Sequence, residues 1–218
     1  MGRVFKIVII GQSGVGKTAF ARKSVADLFV YAHHHTFNTG IYTLRLKESS
    51  VTTWDTGDPK SRPFWAPEYN YTHPLDSWNG ETDIWLWDTS SSEVRSIYVS
   101  PSCQFASGAL LLIDKDTKTP VEDCLHWTRK LYEFSPNVPV LVVINKCDNE
   151  ELDLNIDEIL KGVRRSIPSG TFDCVQFSVK KEPAVSCQQL LFRLIKSISS
   201  TLRYKENDTN TDTYVIEN

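Results

Sequence analysis

No apolar run in this sequence approaches the roughly 20 residues that a membrane-spanning helix needs. The start, Met1-Gly2-Arg3-Val4-Phe5-Lys6, lacks the apolar segment of a signal peptide, and Lys6 stands where a myristoylation pattern wants serine or threonine. A basic excess is missing too. With 24 Lys and Arg against 27 Asp and Glu, the net charge is −3, so bulk charge recruits neither nucleic acid nor an anionic membrane. Cysteine is sparse. Cys103, Cys124, Cys147, Cys174 and Cys187 are scattered without a Cys-x-x-Cys pair, which argues against a disulfide framework or a zinc site and for reduced, mostly core thiols in a cytosolic chain. The last residues, Tyr214-Val215-Ile216-Glu217-Asn218, hold no cysteine for prenylation. The expectation is a cytoplasmic chain without a lipid anchor that meets membranes only through a partner.

What is present is ordinary globular material: 40% apolar and 23% charged residues over a length of 218, enough for one domain with a sizeable core. Val4–Ile10 is a β-branched run stopped by Gly11, the pattern of a buried strand in a parallel sheet. Thr18–Phe29 has helical spacing, with Phe20, Val25, Leu28 and Phe29 as its apolar face. Strands are expected at Ile41–Leu46, Asp83–Trp87, Gly108–Ile113, Val138–Ile144 and Val175–Ser178. Pro120 opens a helix whose apolar face is Val121, Cys124, Leu125, Trp127, Leu131 and Tyr132. Leu152–Ile167 is another helix, and Ala184–Leu202 is the last, with Leu190, Leu191, Leu194, Ile195 and Ile198 turned inward. Alternating strands and helices imply an α/β doubly wound sheet with right-handed crossovers. Residues 1–203 form the expected domain. The polar end, 204–218, reads as disordered. Between the second and third strands, about 47–82, lies a long proline-broken insertion rich in aromatics: Trp54, Phe64, Trp65, Tyr69, Tyr71 and Trp78.

Two motifs carry chemistry. Gly11-Gln12-Ser13-Gly14-Val15-Gly16-Lys17-Thr18 fits G-x-x-x-x-G-K-[ST] in full. Glycines let successive backbone N–H groups turn toward phosphate oxygens, Lys17 reaches the outer phosphates, and the Thr18 hydroxyl is suited to Mg²⁺. A strand precedes the loop and a helix follows, so the helix N-terminus adds its field. Asn145-Lys146-Cys147-Asp148 follows an apolar strand directly. An Asp148 carboxylate accepts two hydrogen bonds from guanine N1–H and its exocyclic amine, a donor pair that adenine lacks.

With these two motifs, the chain from Val4 to about Leu202 resembles the Ras/Rab small GTPases. The resemblance implies a P-loop NTPase fold of the small-GTPase (G domain) type, GTP or GDP as ligand with Mg²⁺, and action through protein effectors. It carries over further residues. Ser178-Val179-Lys180 is similar to the family's third base-contacting motif, S-A-K. Ser13, Gly14, Val15, Gly16, Lys17 and Thr18 would line the phosphates, and Asn145, Lys146 and Asp148 the base. Phe29 stands where the family often places an aromatic against the base, or it is a core residue. Trp87-Asp88-Thr89 looks like the family's W-D-T, in which Asp88 holds Mg²⁺ through water. Trp54-Asp55-Thr56-Gly57 competes, but the stretch from Asp88 to Asp114 matches the family's spacing and Asp55 lies too far away. Thr39, before Gly40-Ile41, is the candidate for the first-switch threonine that meets Mg²⁺ and the γ-phosphate, with Thr36 as its rival. The neighbourhood His34–Ile41 also resembles atypical Rab-like GTPases linked to cilia, which would place the chain at a cilium base or with the cytoskeleton. His33, His34 and His35 are adjacent loop residues, better suited to solvent than to one metal ion.

The second switch departs from the family. Where it reads D-T-A-G-Q-E, this chain reads Asp88-Thr89-Ser90-Ser91-Ser92-Glu93. Ser91 replaces the glycine whose N–H meets the γ-phosphate, and a side chain restricts that peptide. Ser92 replaces the glutamine that orients the attacking water and is too short to do so. Weak intrinsic hydrolysis is expected in a regulatory switch. The rival is a scaffold that keeps GTP as a structural ligand (a pseudoGTPase). A metabolic P-loop kinase is a third possibility, against which N-K-x-D argues. The insertion is expected to form a partner-binding surface beside the switches, or else simply to pack onto the domain.

Overall fold

A computed structural model describes residues 3–26, 40–47, 81–89, 102–148 and 154–211. Its elements, in chain order, are β1 (Arg3–Ile10), α1 (Lys17–Ala26), β2 (Gly40–Lys47), β3 (Glu81–Asp88), β4 (Gly108–Asp114), α2 (Pro120–Tyr132), β5 (Val140–Asn145), α3 (Ile156–Ser166), β6 (Phe172–Gln176) and α4 (Ala184–Thr211). The six strands form one sheet in the order β2-β3-β1-β4-β5-β6. All neighbours are parallel except β2, which runs antiparallel to β3 with Gly40 opposite Asp88 and Lys47 opposite Glu81.

Parallel strands need helical crossovers, and here these cover both faces, so the central strands are apolar on both sides. All six residues of β5 are buried, as are the first six of β4. One face packs Ile7, Ile9, Leu110, Leu112 and Val143 under α1 and α4; the other packs Val8, Ile10, Leu111, Val142 and Ile144 under α2 and α3. Strand order reverses at β1, whose neighbours β3 and β4 both follow it in sequence. In open α/β sheets the crevice at the carboxyl ends of the strands beside such a switch point is where ligands bind.

Several expected elements differ in extent. β6 begins at Phe172 and ends at Gln176, not at Val175–Ser178; its second residue, Asp173, pairs with Arg193 of α4 through two bonds of 2.5 and 2.6 Å. α1 buries Phe20, Ala21, Lys23 and Ser24, whereas Val25 is 42% exposed; Leu28 and Phe29 lie outside the described residues. α4 runs on to Thr211, so part of the tail expected to be disordered continues the helix. Its core turns, with Leu190, Leu191, Leu194, Ile195 and Ile198 buried, supply the nucleus, and no proline or glycine follows to stop propagation.

The insertion joins the antiparallel pair β2 and β3. It leaves β2 at Lys47 and rejoins β3 at Glu81. Those roots lie a strand's length, roughly 23 Å at ~3.3 Å per residue, from the Gly40 and Asp88 end. Residues 48–80 themselves lie outside the described residues, as do the tail beyond Thr211 and the histidines at 33–35. Among the described residues, no helix is long and apolar enough to cross a membrane.

Candidate nucleotide site

β1 leaves the sheet through Gly11 at φ +136°, where a Cβ would sit 2.1 Å from the Leu112 carbonyl oxygen of β4. Only glycine lets the chain pass there. Gly14 and Gly16 follow at φ +79° and +100°, so the loop from Gly11 to Gly16 curls in the left-handed region that exposes consecutive N–H groups. A Cβ on Gly16 would meet Asn145 Nδ2 at 2.4 Å. Lys17 opens α1, and its buried ammonium turns back to donate to the carbonyls of Gly11 (2.9 Å) and Gln12 (2.7 Å). Burial pushes its pKa down to about 8, against the pull of the Asp88 charge. Gln12 is anchored in turn, since its Nε2 donates to Asp123 Oδ1 (2.9 Å) in the first turn of α2, while Thr117 Oγ1 donates to the other oxygen of Asp123 (2.5 Å).

Asp88 ends β3 beside this loop and is fully buried. Thr18 Oγ1 donates to its Oδ2 at 2.6 Å, and among the described residues Oδ1 has no hydrogen-bond partner. Burial raises its pKa, opposed by the Thr18 bond and by the Lys17 and Arg22 charges. Thr89 then pins the chain to β1, donating from N (3.3 Å) and Oγ1 (2.8 Å) to the Ile9 carbonyl. A buried carboxylate with one orphaned oxygen, next to a threonine hydroxyl and a phosphate-type loop, fits Mg²⁺. That ion takes oxygen ligands, commonly one or two carboxylates completed by substrate phosphates.

On the far side of β4, Asn145 ends β5 with its side chain buried. Its Nδ2 donates to the Val15 carbonyl (2.8 Å) and its Oδ1 accepts from Val179 N (3.0 Å), so one amide ties the phosphate-type loop to the segment after β6. Lys146 takes φ +69° and donates to Asp114 Oδ2 at 2.5 Å. Asp148 Oδ1 accepts from Ser178 Oγ at 2.5 Å, and Lys180 Nζ lies 3.6 Å from Oδ2. Lys181 donates through N to Ser178 Oγ (3.0 Å) and through Nζ to the Asp148 carbonyl. A half-exposed carboxylate is thus held in one orientation by a hydroxyl and a cation.

The structure therefore brings Ser13, Gly14, Val15, Gly16, Lys17, Thr18, Asp88, Asn145, Lys146, Asp148, Ser178, Val179 and Lys180 to the carboxyl edge of one sheet. Phe29, Thr36, Thr39, Asp55, Ser91 and Ser92 lie outside the described residues. Sequence reasoning missed Lys23, Lys181 and the Gln12–Asp123–Thr117 chain. Lys23 did leave a signal, since it and Ser24 fall three and four positions after the buried Phe20, on the same helix face.

The comparisons with known proteins agree with this geometry. Ras-related protein Rab-8B of Bos taurus is 23% identical over 209 residues, covering 95% of this chain and 84% of the relative. Ras-related protein Rab-32 of Sus scrofa is 28% identical over 153 residues, covering 68% and 55%. Over most of its length this chain is similar, at low identity, to Ras/Rab small GTPases. EF-hand calcium-binding domain-containing protein 4B of Homo sapiens is 28% identical over 150 residues, which is 68% of this chain but 17% of that protein. The chain thus spans most of Rab-8B and just over half of Rab-32, and its match covers about a sixth of the EF-hand protein. No family model matches. As a small-GTPase relative, the chain has the expected α/β P-loop fold, with the mixed sheet and two helical layers described above. At the level of the family, the relationship supports a GTP-binding regulatory switch.

Proposed function

We propose that this chain binds GTP and GDP with Mg²⁺ and acts as a regulatory switch with slow intrinsic hydrolysis. The observation that carries the reading is Asn145, whose amide holds the phosphate-type loop at Val15 and the base-type segment at Val179. A single ligand with phosphates at one end and a base at the other fits two loops fixed this way. Asp148 selects guanine through its N1–H and amine, with Ser178 and Lys180 orienting the carboxylate. Lys17, now satisfied by two loop carbonyls, supplies the cation for the outer phosphates. Thr18 and Asp88, with Thr39 from the first switch, would hold Mg²⁺, which would supply positive charge to the phosphates. Competition for labelled GTP tests the reading: GDP is expected to displace it and ATP to fail. Equal displacement by ATP overturns it.

Ser91 and Ser92 favour a second reading, a scaffold that retains GTP without meaningful hydrolysis. Single-turnover assays separate the two: a measurable phosphate burst supports the switch, and bound GTP that persists supports the scaffold. In either case we infer action through protein effectors in the cytoplasm, with a role at the cilium base drawn from the His34–Ile41 likeness. The aromatic insertion, rooted at Lys47 and Glu81, is a second partner surface. Replacing residues 58–76 by a Gly/Ser linker is expected to spare GTP binding and abolish capture of cellular partners. Retention of every partner would sink the insertion's role.

A further inference from the structure

Lys23 is a lysine buried in the core, 6% exposed, on the inward face of α1. Its ammonium donates to the Val179 carbonyl at 2.8 Å and to the Lys180 carbonyl at 3.2 Å, across more than 150 residues of sequence. Burying a lysine head is costly unless carbonyls or charges replace its water, so the position is explained by what the head holds. It holds the segment after β6 from below. The Val179 peptide is gripped at both ends: its N–H by Asn145 Oδ1 (3.0 Å) and its carbonyl by Lys23. One residue earlier, Ser178 Oγ fixes Asp148 Oδ1. Next to Lys23, the Ser24 carbonyl accepts from Gln188 Nε2 of α4 at 3.0 Å, which fixes this stretch of α1 against the helix that follows the segment.

We propose that Lys23 is a positioning residue for base recognition. By clamping the Val179 and Lys180 carbonyls to α1, it holds the 178–180 segment in the conformation that presents Ser178 to Asp148 and closes the base site. α1 is also the helix that Lys17 and Thr18 open. The clamp therefore links the phosphate end of the site to the base end through one short helix, independently of the Asn145 bridge. This inference rests on the guanine-site reading above.

The test compares wild type, Lys23→Met and Lys23→Arg by the release rate of a fluorescent GDP analogue and by the affinity ratio of GDP to IDP. IDP lacks the exocyclic amine that Asp148 reads, so the ratio reports the base site and not overall stability. Charge-assisted hydrogen bonds are the stronger kind, so Lys23→Met should release GDP about ten-fold faster or more. Its GDP-to-IDP ratio should fall, and Lys23→Arg, which keeps the donors, should recover most of both. Unchanged release and ratio in a folded Lys23→Met overturn the proposal. So does equal loss of GDP and IDP without recovery in Lys23→Arg, which is the signature of packing alone. Should Lys23→Met not fold, NMR of the GDP-bound wild type decides: a slowly exchanging Lys23 ammonium coupled across the hydrogen bond to the Val179 carbonyl carbon supports the clamp, and its absence overturns it. Wild type that binds no guanine nucleotide overturns the site reading itself, whereas wild-type binding with unaltered Lys23→Met kinetics overturns only Lys23.

Discussion

Asp148 and Thr18 are the residues at which binding and specificity can be separated. Asp148 accepts from Ser178 and faces Lys180, so its charge is already organised before a base arrives. Asp148→Asn leaves shape nearly unchanged but replaces a charged acceptor by an amide that carries donors. Hydrogen bonds to charged groups contribute about 1.5–3 kcal/mol each. Titration calorimetry should therefore show GDP and GTP binding weakened by at least ten-fold, and undiminished affinity would remove the base assignment. Thr18→Asn acts at the other end. It breaks the 2.6 Å bond to Asp88 and leaves both carboxylate oxygens of a buried group unsatisfied. Nucleotide release that is accelerated by Mg²⁺ chelation in wild type should become insensitive to chelation in this variant. Continued Mg²⁺ dependence would show that the ion is held elsewhere.

The junction between β1 and the phosphate-type loop has the least tolerance in the sheet. Gly11→Ala drives a methyl to 2.1 Å from a β4 backbone oxygen at φ +136°, so β1 and β4 would have to part. Backbone strain of this kind costs on the order of 3 kcal/mol, and denaturant midpoints should fall accordingly; a midpoint equal to wild type would mean that the loop leaves the sheet by another path. Elements of this sort were legible in the sequence because their chemistry is local. β1, β4 and β5 are mostly apolar runs, and the loop needs its glycines where the backbone turns. What escaped is non-local. β6 hid behind Asp173, whose partner Arg193 arrives 20 residues later. The role of Lys23 depends on carbonyls at the other end of the chain. The position of the insertion roots followed from an antiparallel register that composition does not encode.

For the molecule as a whole, the question is how long it stays in one state. On the proposed reading, serine at 92 is too short to orient water as glutamine does, whereas Lys17 and Mg²⁺ would still stabilise charge, so a residual rate is expected. The pair Ser91→Gly/Ser92→Gln should hydrolyse GTP faster than wild type in single-turnover assays; an unaltered rate would place the deficit outside the second switch. The five thiols offer a separate measure of the same molecule. All are buried, and burial pushes Cys103 up to about 11, Cys174 up to about 12 and Cys124 higher still. A buried thiol meets an alkylating agent only when the fold opens. Cys147 sits between Asn145 and Asp148 with its Sγ 3.3 Å from the Ile144 carbonyl, while Cys187 is sealed on the inward face of α4. The chain thereby contains its own stopwatch. Labelling of Cys147 times local breathing of the segment that carries Asn145 and Asp148, and labelling of Cys187 times the opening of the whole domain. At a hundred-fold excess of nucleotide over Kd, Cys187 alkylation should slow about a hundred-fold in step with global stability. Cys147 should slow at least as much, and prompt alkylation of either thiol in native buffer would show that the core is not closed.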